Sequence, residues 1–156
     1  MTGRMYSAFF DQVAVSATQD LLNLTATSGM AFKIHRIEGG QRTLSAWEAK
    51  PIRLIRFPAT VTAGSGGSAV TISKLNDGDA SPTVTARAND TTPMTTSGTS
   101  AILLARDFEF LNGFLVVFTP AERPIIKPSA GVALNLPVAP SGSMTCSFSV
   151  LFEELF

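Results

Sequence analysis

The sequence has one cysteine, one histidine, one tryptophan and one tyrosine among its 156 residues. The single cysteine, Cys146, excludes a disulfide framework within the chain. The single histidine, His35, is the only residue that a Ser-His-Asp or Cys-His arrangement could use, and neither it nor Cys146 lies in a recognisable catalytic motif. Zinc needs clustered Cys and His ligands, which the sequence does not have. Charge is scarce as well. Charged residues make up 15% of the chain, against about a quarter in ordinary domains, and 12 bases balance 12 acids. Net neutrality removes the basic excess by which proteins hold nucleic acid or anionic membranes. No apolar run approaches the ~18 residues that cross a bilayer. The opening Met-Thr-Gly-Arg-Met-Tyr does not read as a signal peptide. These scarcities lead us to expect no cofactor, no metal, no nucleic acid, no membrane and synthesis in a cytoplasm.

What the sequence has is period-two alternation. Met144, Cys146, Phe148, Val150 and Phe152 fall on one parity, and Thr145, Ser147 and Ser149 on the other. Successive side chains of a strand point to opposite faces, so this run is a strand with one buried and one polar face. Cys146 then reads as a small buried hydrophobe. Met30, Phe32 and Ile34 alternate with Lys33 and His35 until the parity flips at Arg36-Ile37, as a one-residue bulge would produce. Gly39-Gly40 is expected to end that run. Ile52 to Phe57 reads as a strand bracketed by Pro51 and Pro58. Phe114-Leu-Val-Val-Phe118 is apolar on both parities, which predicts a central strand or a buried interface. Near the N-terminus, Val13 and Val15 alternate with Gln12, Ala14 and Ser16, which favours a strand over the short helix that 7–14 could also form; 17–20 reads as a turn, and Leu21, Leu22 and Leu24 resume a strand.

Residues 59–100 differ in kind: they contain no aromatic residue and only five charges, and they are dense in Thr, Ser, Gly and Ala. Gly64-Ser-Gly-Gly-Ser68 reads as a flexible turn or hinge, and Asn76-Asp77-Gly78-Asp79 as a hairpin turn. Val84, Ala86 and Ala88 alternate with Thr83, Thr85 and Arg87. The expected organisation is one domain over 1–156, with 59–100 as an extended excursion on the sandwich or an arm on a neighbour. Eight or nine short strands, long crossing connections and almost no helical periodicity predict an all-β fold. The expected architecture is an antiparallel β-sandwich of jelly-roll type.

No chemical motif competes with this structural reading. Asn76, Asp77 and Asp79 lack the calcium-loop pattern and read as a turn. Asp107 and Glu109 share a parity, but a glycosidase pair needs its second carboxylate across a cleft. Gly64-Ser-Gly-Gly lacks the Gly-Lys-Ser/Thr ending of a phosphate loop. Lys33, Arg36, Arg53 and Arg56 are read as surface or inter-subunit bases, with Glu153 and Glu154 as acidic counterparts.

The opening Ala8-Phe-Phe-Asp-Gln-Val-Ala-Val-Ser-Ala-Thr-Gln-Asp-Leu21 resembles the start of small virion proteins of tailed bacteriophages. Gly64-Ser-Gly-Gly-Ser, Ala88-Asn-Asp-Thr-Thr-Pro93, Glu122-Arg-Pro-Ile and Phe152-Glu-Glu-Leu are similar to them too. The resemblance spans nearly the whole chain and implies a head decoration or cement protein. Such a protein would be non-enzymatic, located on the virion, with the major capsid protein and further copies of itself, as a homotrimer, for partners. Phe9, Phe10 and Trp47 are the candidate aromatic anchors, and Leu151, Leu155 and Phe156 the candidate subunit contacts. The alternatives are a tail, baseplate or head-fibre component, and a carbohydrate-binding β-sandwich that attaches to host polysaccharide. The latter is disfavoured because Trp47 and Tyr6 are the only Trp and Tyr.

Overall fold

Alternation in the sequence becomes pairing in the computed structural model, which describes residues 3–42, 48–109 and 112–155. The first strands are β1 (Arg4–Val15), β2 (Gln19–Thr25), β3 (Ala31–Gln41) and β4 (Ala49–Phe57). Short strands follow: β5 (Val61–Thr62), β6 (Ser68–Val70), β7 (Ser73–Lys74), β8 (Thr85–Asp90) and β9 (Thr95–Thr96). The last are β10 (Ala101–Glu109), β11 (Phe114–Val117), β12 (Ile125–Ile126), β13 (Gly131–Leu136) and β14 (Met144–Leu155). The described residues contain no helix.

Two six-stranded sheets and one small ribbon contain all of these strands. Sheet A has the order β11-β3-β14-β1-β7, with β12 also on β3; sheet B has the order β10-β4-β13-β2-β8-β6; β5 and β9 pair with each other. Every pairing is antiparallel. The early strands pair with the late ones: β1 with β14, β2 with β13, β3 with β11 and β4 with β10. The sheets share one apolar core, as a β-sandwich does.

β14 runs through the centre of sheet A, and its residues alternate buried and half-buried over all 12 positions. Its inward aromatics organise the core. Phe152 meets Tyr6 and Phe32 at centroid separations of 5.6 and 5.5 Å, and Phe148 meets Phe10 at 5.9 Å. Phe108 of β10 reaches across from sheet B to Phe148 at 5.8 Å. Tilted and edge-on rings at these separations match the aromatic quadrupole. Cys146 lies in the same buried row, and burial pushes its thiol up to about 11, so it is a packing residue without a reactive thiolate.

The parity flip in β3 is a bulge: Leu151 pairs with Arg36 and Phe152 with Ile34, which leaves His35 as the extra residue. A second bulge interrupts β1, where Phe10 pairs with Phe148 and Val13 with Cys146. Gln12 takes a positive φ of 52° there, and its amide donates to Ser147 Oγ at 2.9 Å. The side chain of β14 thus satisfies the amide that the bulge removes from the ladder.

Four expectations need correction. Gly39-Gly40 does not end β3; both residues pair within it. Gly39 faces inward, where the Phe148 ring covers it so closely that an added Cβ would lie 2.1 Å from a ring carbon. β11 is an edge strand rather than a central one, because no strand pairs with it opposite β3 among the described residues. Gln19 and Asp20 belong to β2 and are buried, so the turn is shorter than 17–20. Asn76–Asp79 is a turn, closed by Asp79 N donating to Asn76 O at 3.0 Å, but no hairpin: β7 before it pairs with β1. The 59–100 segment also joins the fold directly, since β8 pairs with β2 and places Ala86 and Ala88 in the core.

Candidate functional site

Two surfaces concentrate features that a solvated sheet does not need. The first is the flank where both sheets end. β10 and β11 are the outermost strands of their sheets, and the turn at Asn112-Gly113 joins them, so the two free edges share one side of the molecule. That turn is closed by Asn112 N donating to Glu109 O at 3.1 Å, and Gly113 adopts φ +72°, a conformation glycine takes without strain. β12 extends the same edge by pairing with β3 below β11. Ile102 and Leu103 on β10, Leu115 and Val117 on β11, and Ile125 on β12 are between 37% and 64% exposed. Open edges carrying large apolar side chains invite pairing with another chain, and proteins ordinarily protect them. The apolar run 114–118 was the signal for this surface; the unpaired side of β10 gave none.

The second surface is the outer face of sheet A. Leu115, Glu38, Ser149 and Phe9 form one cross-strand row over β11, β3, β14 and β1. The next row holds Gly40 and Ser147. Gly40, Ser147 and Ser149 line the floor between Phe9 and Leu115, and a groove of about 830 Å³ lies over them. Ser147 Oγ donates to Asp11 Oδ1 at 2.6 Å, and Ser149 Oγ to Glu38 Oε1 at 3.0 Å. The uncharged parity of β14 therefore forms the floor of a groove.

Of the candidate contact residues, Phe9 is half-exposed and forms the wall of this groove, whereas Phe10 is buried against Phe148. The β-strand pleat separates the two neighbours, so Phe10 contributes to the core. Leu151 lies on the outer face, half-buried, opposite Ser7 and Arg36; Leu155 pairs with Ala31 near the end of β14. Trp47 and Phe156 lie outside the described residues.

The acidic residues read as inter-subunit partners have partners within the chain. Glu153 Oε2 meets Lys33 Nζ at 3.0 Å and His35 Nε2 at 2.8 Å, while its Oε1 accepts from Gly3 N at 3.1 Å. Burial alone would raise its pKa, but these donors outweigh burial and hold it below the usual range. Lys33 and His35, two residues apart on β3, lie on one face and meet this one carboxylate. Glu154 points inward, and its Oε1 accepts from Thr83 N, Thr83 Oγ1 and Val84 N at 2.6, 2.9 and 2.9 Å. It thereby ties the segment leading into β8 to sheet A.

A buried polar network, which strand periodicity alone did not reveal, holds the 64–94 connections in place. Asp90 accepts from both Arg87 Nε and Nη2, from Asn23 Nδ2 and from Gly67 N, all within 2.8–2.9 Å. Burial would raise its pKa, but these hydrogen bonds and the guanidinium hold it below the ordinary value. Nearby, Asp20 accepts from Met94 N at 2.7 Å and Asn135 Nδ2 at 2.8 Å, yet desolvation keeps its carboxyl raised. Gly64-Ser-Gly-Gly is therefore a fitted loop, not a hinge: a Cβ on Gly67 would lie 2.0 Å from Ala88 O.

These shifts set an acid limit with a definite sign. Asp90 and Glu153 have folded pKa values below their unfolded ones. Their stabilisation is present above the unfolded range near pH ~4 and is lost as pH falls through the folded values. Asp20 acts oppositely: its folded form holds the proton more tightly, so stability falls as pH rises from the unfolded to the folded pKa. Thermal unfolding followed across that range is expected to show Tm dropping below about pH 4, with a shallower acid slope in Asp90→Asn. An unchanged slope in that variant would contradict the assignment.

The arrangement offers contact surfaces and a groove with apolar walls and a hydroxyl-bearing floor. Among the described residues there is no group of three or more His, Cys, Asp or Glu side chains placed to hold a metal ion. No protein-family model matches the chain, and no curated protein matches it closely in sequence.

Proposed function

We propose that this protein is a non-enzymatic structural component of a tailed-phage virion, a decoration or cement protein on the outer surface of the head. The observation that carries the reading is the flank of β10, β11 and β12, where Ile102, Leu103, Val117 and Ile125 stand exposed along two open edges. Large exposed apolar side chains on strands that have no further strand beside them among the described residues suit a permanent neighbour. The major capsid protein is that neighbour in this reading, and the protein itself is a homotrimer. The sequence resemblance to phage virion proteins supports the same assignment.

The fold in this reading is a jelly roll. Its support is the nested pairing of early with late strands, with β1-β14-β3-β11 in one sheet and β2-β13-β4-β10 in the other. Two Greek keys give this order when a long two-stranded ribbon wraps around a core. The connection from β4 to β10 then sits at the ribbon's tip, which accommodates residues 58–100 as a long insertion without disturbing the roll.

Cementing follows from linkage. A protein that binds only the assembled lattice adds its binding free energy to that state alone. Repetition over many equivalent sites lets modest single contacts suffice. The test is binding to heads that lack the protein. Val117→Asp with Ile125→Asp adds two exposed charges to the flank and leaves the core unchanged. Binding is expected to weaken at least about tenfold, since desolvating a charge costs more than the ~1.4 kcal/mol that tenfold represents. Unchanged binding would overturn the flank assignment. Light scattering is expected to give three chain masses, and a monomer would remove the trimer.

A further inference from the structure

We infer that the groove on the outer face of sheet A is a binding site for a neutral saccharide. This activity goes beyond decoration. The groove runs over β14 between two apolar walls, Phe9 on β1 and Leu115 on β11. β1 and β11 are three strand spacings apart, about 14 Å between backbones, which the side chains narrow to a channel. Its volume of about 830 Å³ falls within the range of small-molecule sites, roughly 300–1,000 Å³.

The chemistry of the lining selects the ligand class. The floor is Gly40, Ser147 and Ser149, a flat strip of small and hydroxyl side chains. Asp11 and Glu38 lie beside it, each receiving one serine hydroxyl on one carboxylate oxygen. A carboxylate only accepts hydrogen bonds, and its second oxygen keeps that capacity. Arg36 also donates to the same oxygen of Glu38, at 3.2 Å. The complementary ligand carries many donors that also accept, which describes a polyol. Phe9 is 46% exposed in the groove lining, and an exposed aromatic ring is a surface on which the C–H face of a pyranose packs. Among the described residues lining the groove there is no Lys or Arg; Glu38 is ion-paired with Arg36 outside it, and the Asp11 carboxylate disfavours phosphates and acidic sugars. A neutral hexose chain satisfies all of these requirements together.

Gly40 makes the inference testable without damaging the fold. A Cβ there would meet only Gly113 Cα, at 3.9 Å, in contrast to Gly39 beside it. Gly40→Phe therefore fills the groove from its floor and leaves the core unchanged. The probes are tetrasaccharides of glucose, mannose and galactose, with a tetragalacturonate as acidic control, titrated into the full-length protein while amide resonances are followed. At least one neutral probe is expected to bind at or below about 1 mM and to shift the amides of Gly40, Ser147 and Ser149. Gly40→Phe and Phe9→Ala are each expected to weaken that binding about tenfold, the scale of one lost aromatic contact. No shift at about 10 mM of any neutral probe would overturn the inference. Equal binding by the galacturonate, or unaltered binding in folded Gly40→Phe, would overturn it too.

Discussion

Asp90→Ala is expected to lower the unfolding free energy by about 2–4 kcal/mol, chiefly the cost of leaving the Asn23 and Gly67 donors without their acceptor, since Arg87 is partly exposed and can be solvated. Asp90 is fully buried and accepts hydrogen bonds from Arg87, Asn23 and Gly67 N. Those donors come from β8, from β2 and from the glycine loop. The alanine variant leaves them facing a cavity, with the Asn23 amide buried and short of an acceptor. The 64–92 connection loses its anchor, although the bridge between Ser65 and Thr92 remains. Thermal denaturation would show this as a fall in Tm of about 5–15 °C for a chain of this size. Asp90→Asn retains one acceptor and shape, so its loss should be smaller. A shift under about 3 °C in the alanine variant would mean that this network does not hold the connection.

Phe148→Ala is expected to cost a similar amount, about 3–5 kcal/mol, for a different reason. Its ring touches Phe10 within sheet A and Phe108 from sheet B, and it covers the backbone of Gly39. Removing it opens a void where the sheets meet. Gly39→Val alone is also expected to destabilise, because its Cβ would occupy space that the ring already fills. The two changes should couple. With the ring removed, the valine enters the vacated volume, and the double variant should exceed the additive expectation by about 0.5–3 kcal/mol. Strict additivity in denaturant titrations would contradict the close contact between Gly39 and Phe148.

The sequence revealed what depends on a residue's own parity and missed what depends on a distant partner. Phe148 and its row on β14 were readable because burial on one face alternates strictly through that strand. The bulge at His35 was readable because an extra residue exchanges the faces, whatever lies beside the strand. Gly39 was misread as a stop: glycine is rare in strands, and the ring that covers it lies more than 100 residues away. The apolar residues of β11 on both parities point to a central strand or a buried interface, because they ordinarily mean two covered faces. Its true position depends on pairing with β3 alone. Asp20, Asn23 and Asp90 were indistinguishable from surface polar residues, since their burial comes from one another and from β8. The groove was half readable: the uncharged parity of β14 marked a special face, but only the register places Phe9 and Leu115 on either side of it.

The central claim is that this chain coats a phage head. Electron cryomicroscopy of particles from a phage encoding it tests that claim most directly, with the protein labelled to fix its position. The account predicts density on the outer capsid surface at a copy number matching the capsid symmetry, with the β10–β11 flank turned toward the major capsid protein. Copies found only at the tail, or particles without the protein, would contradict it.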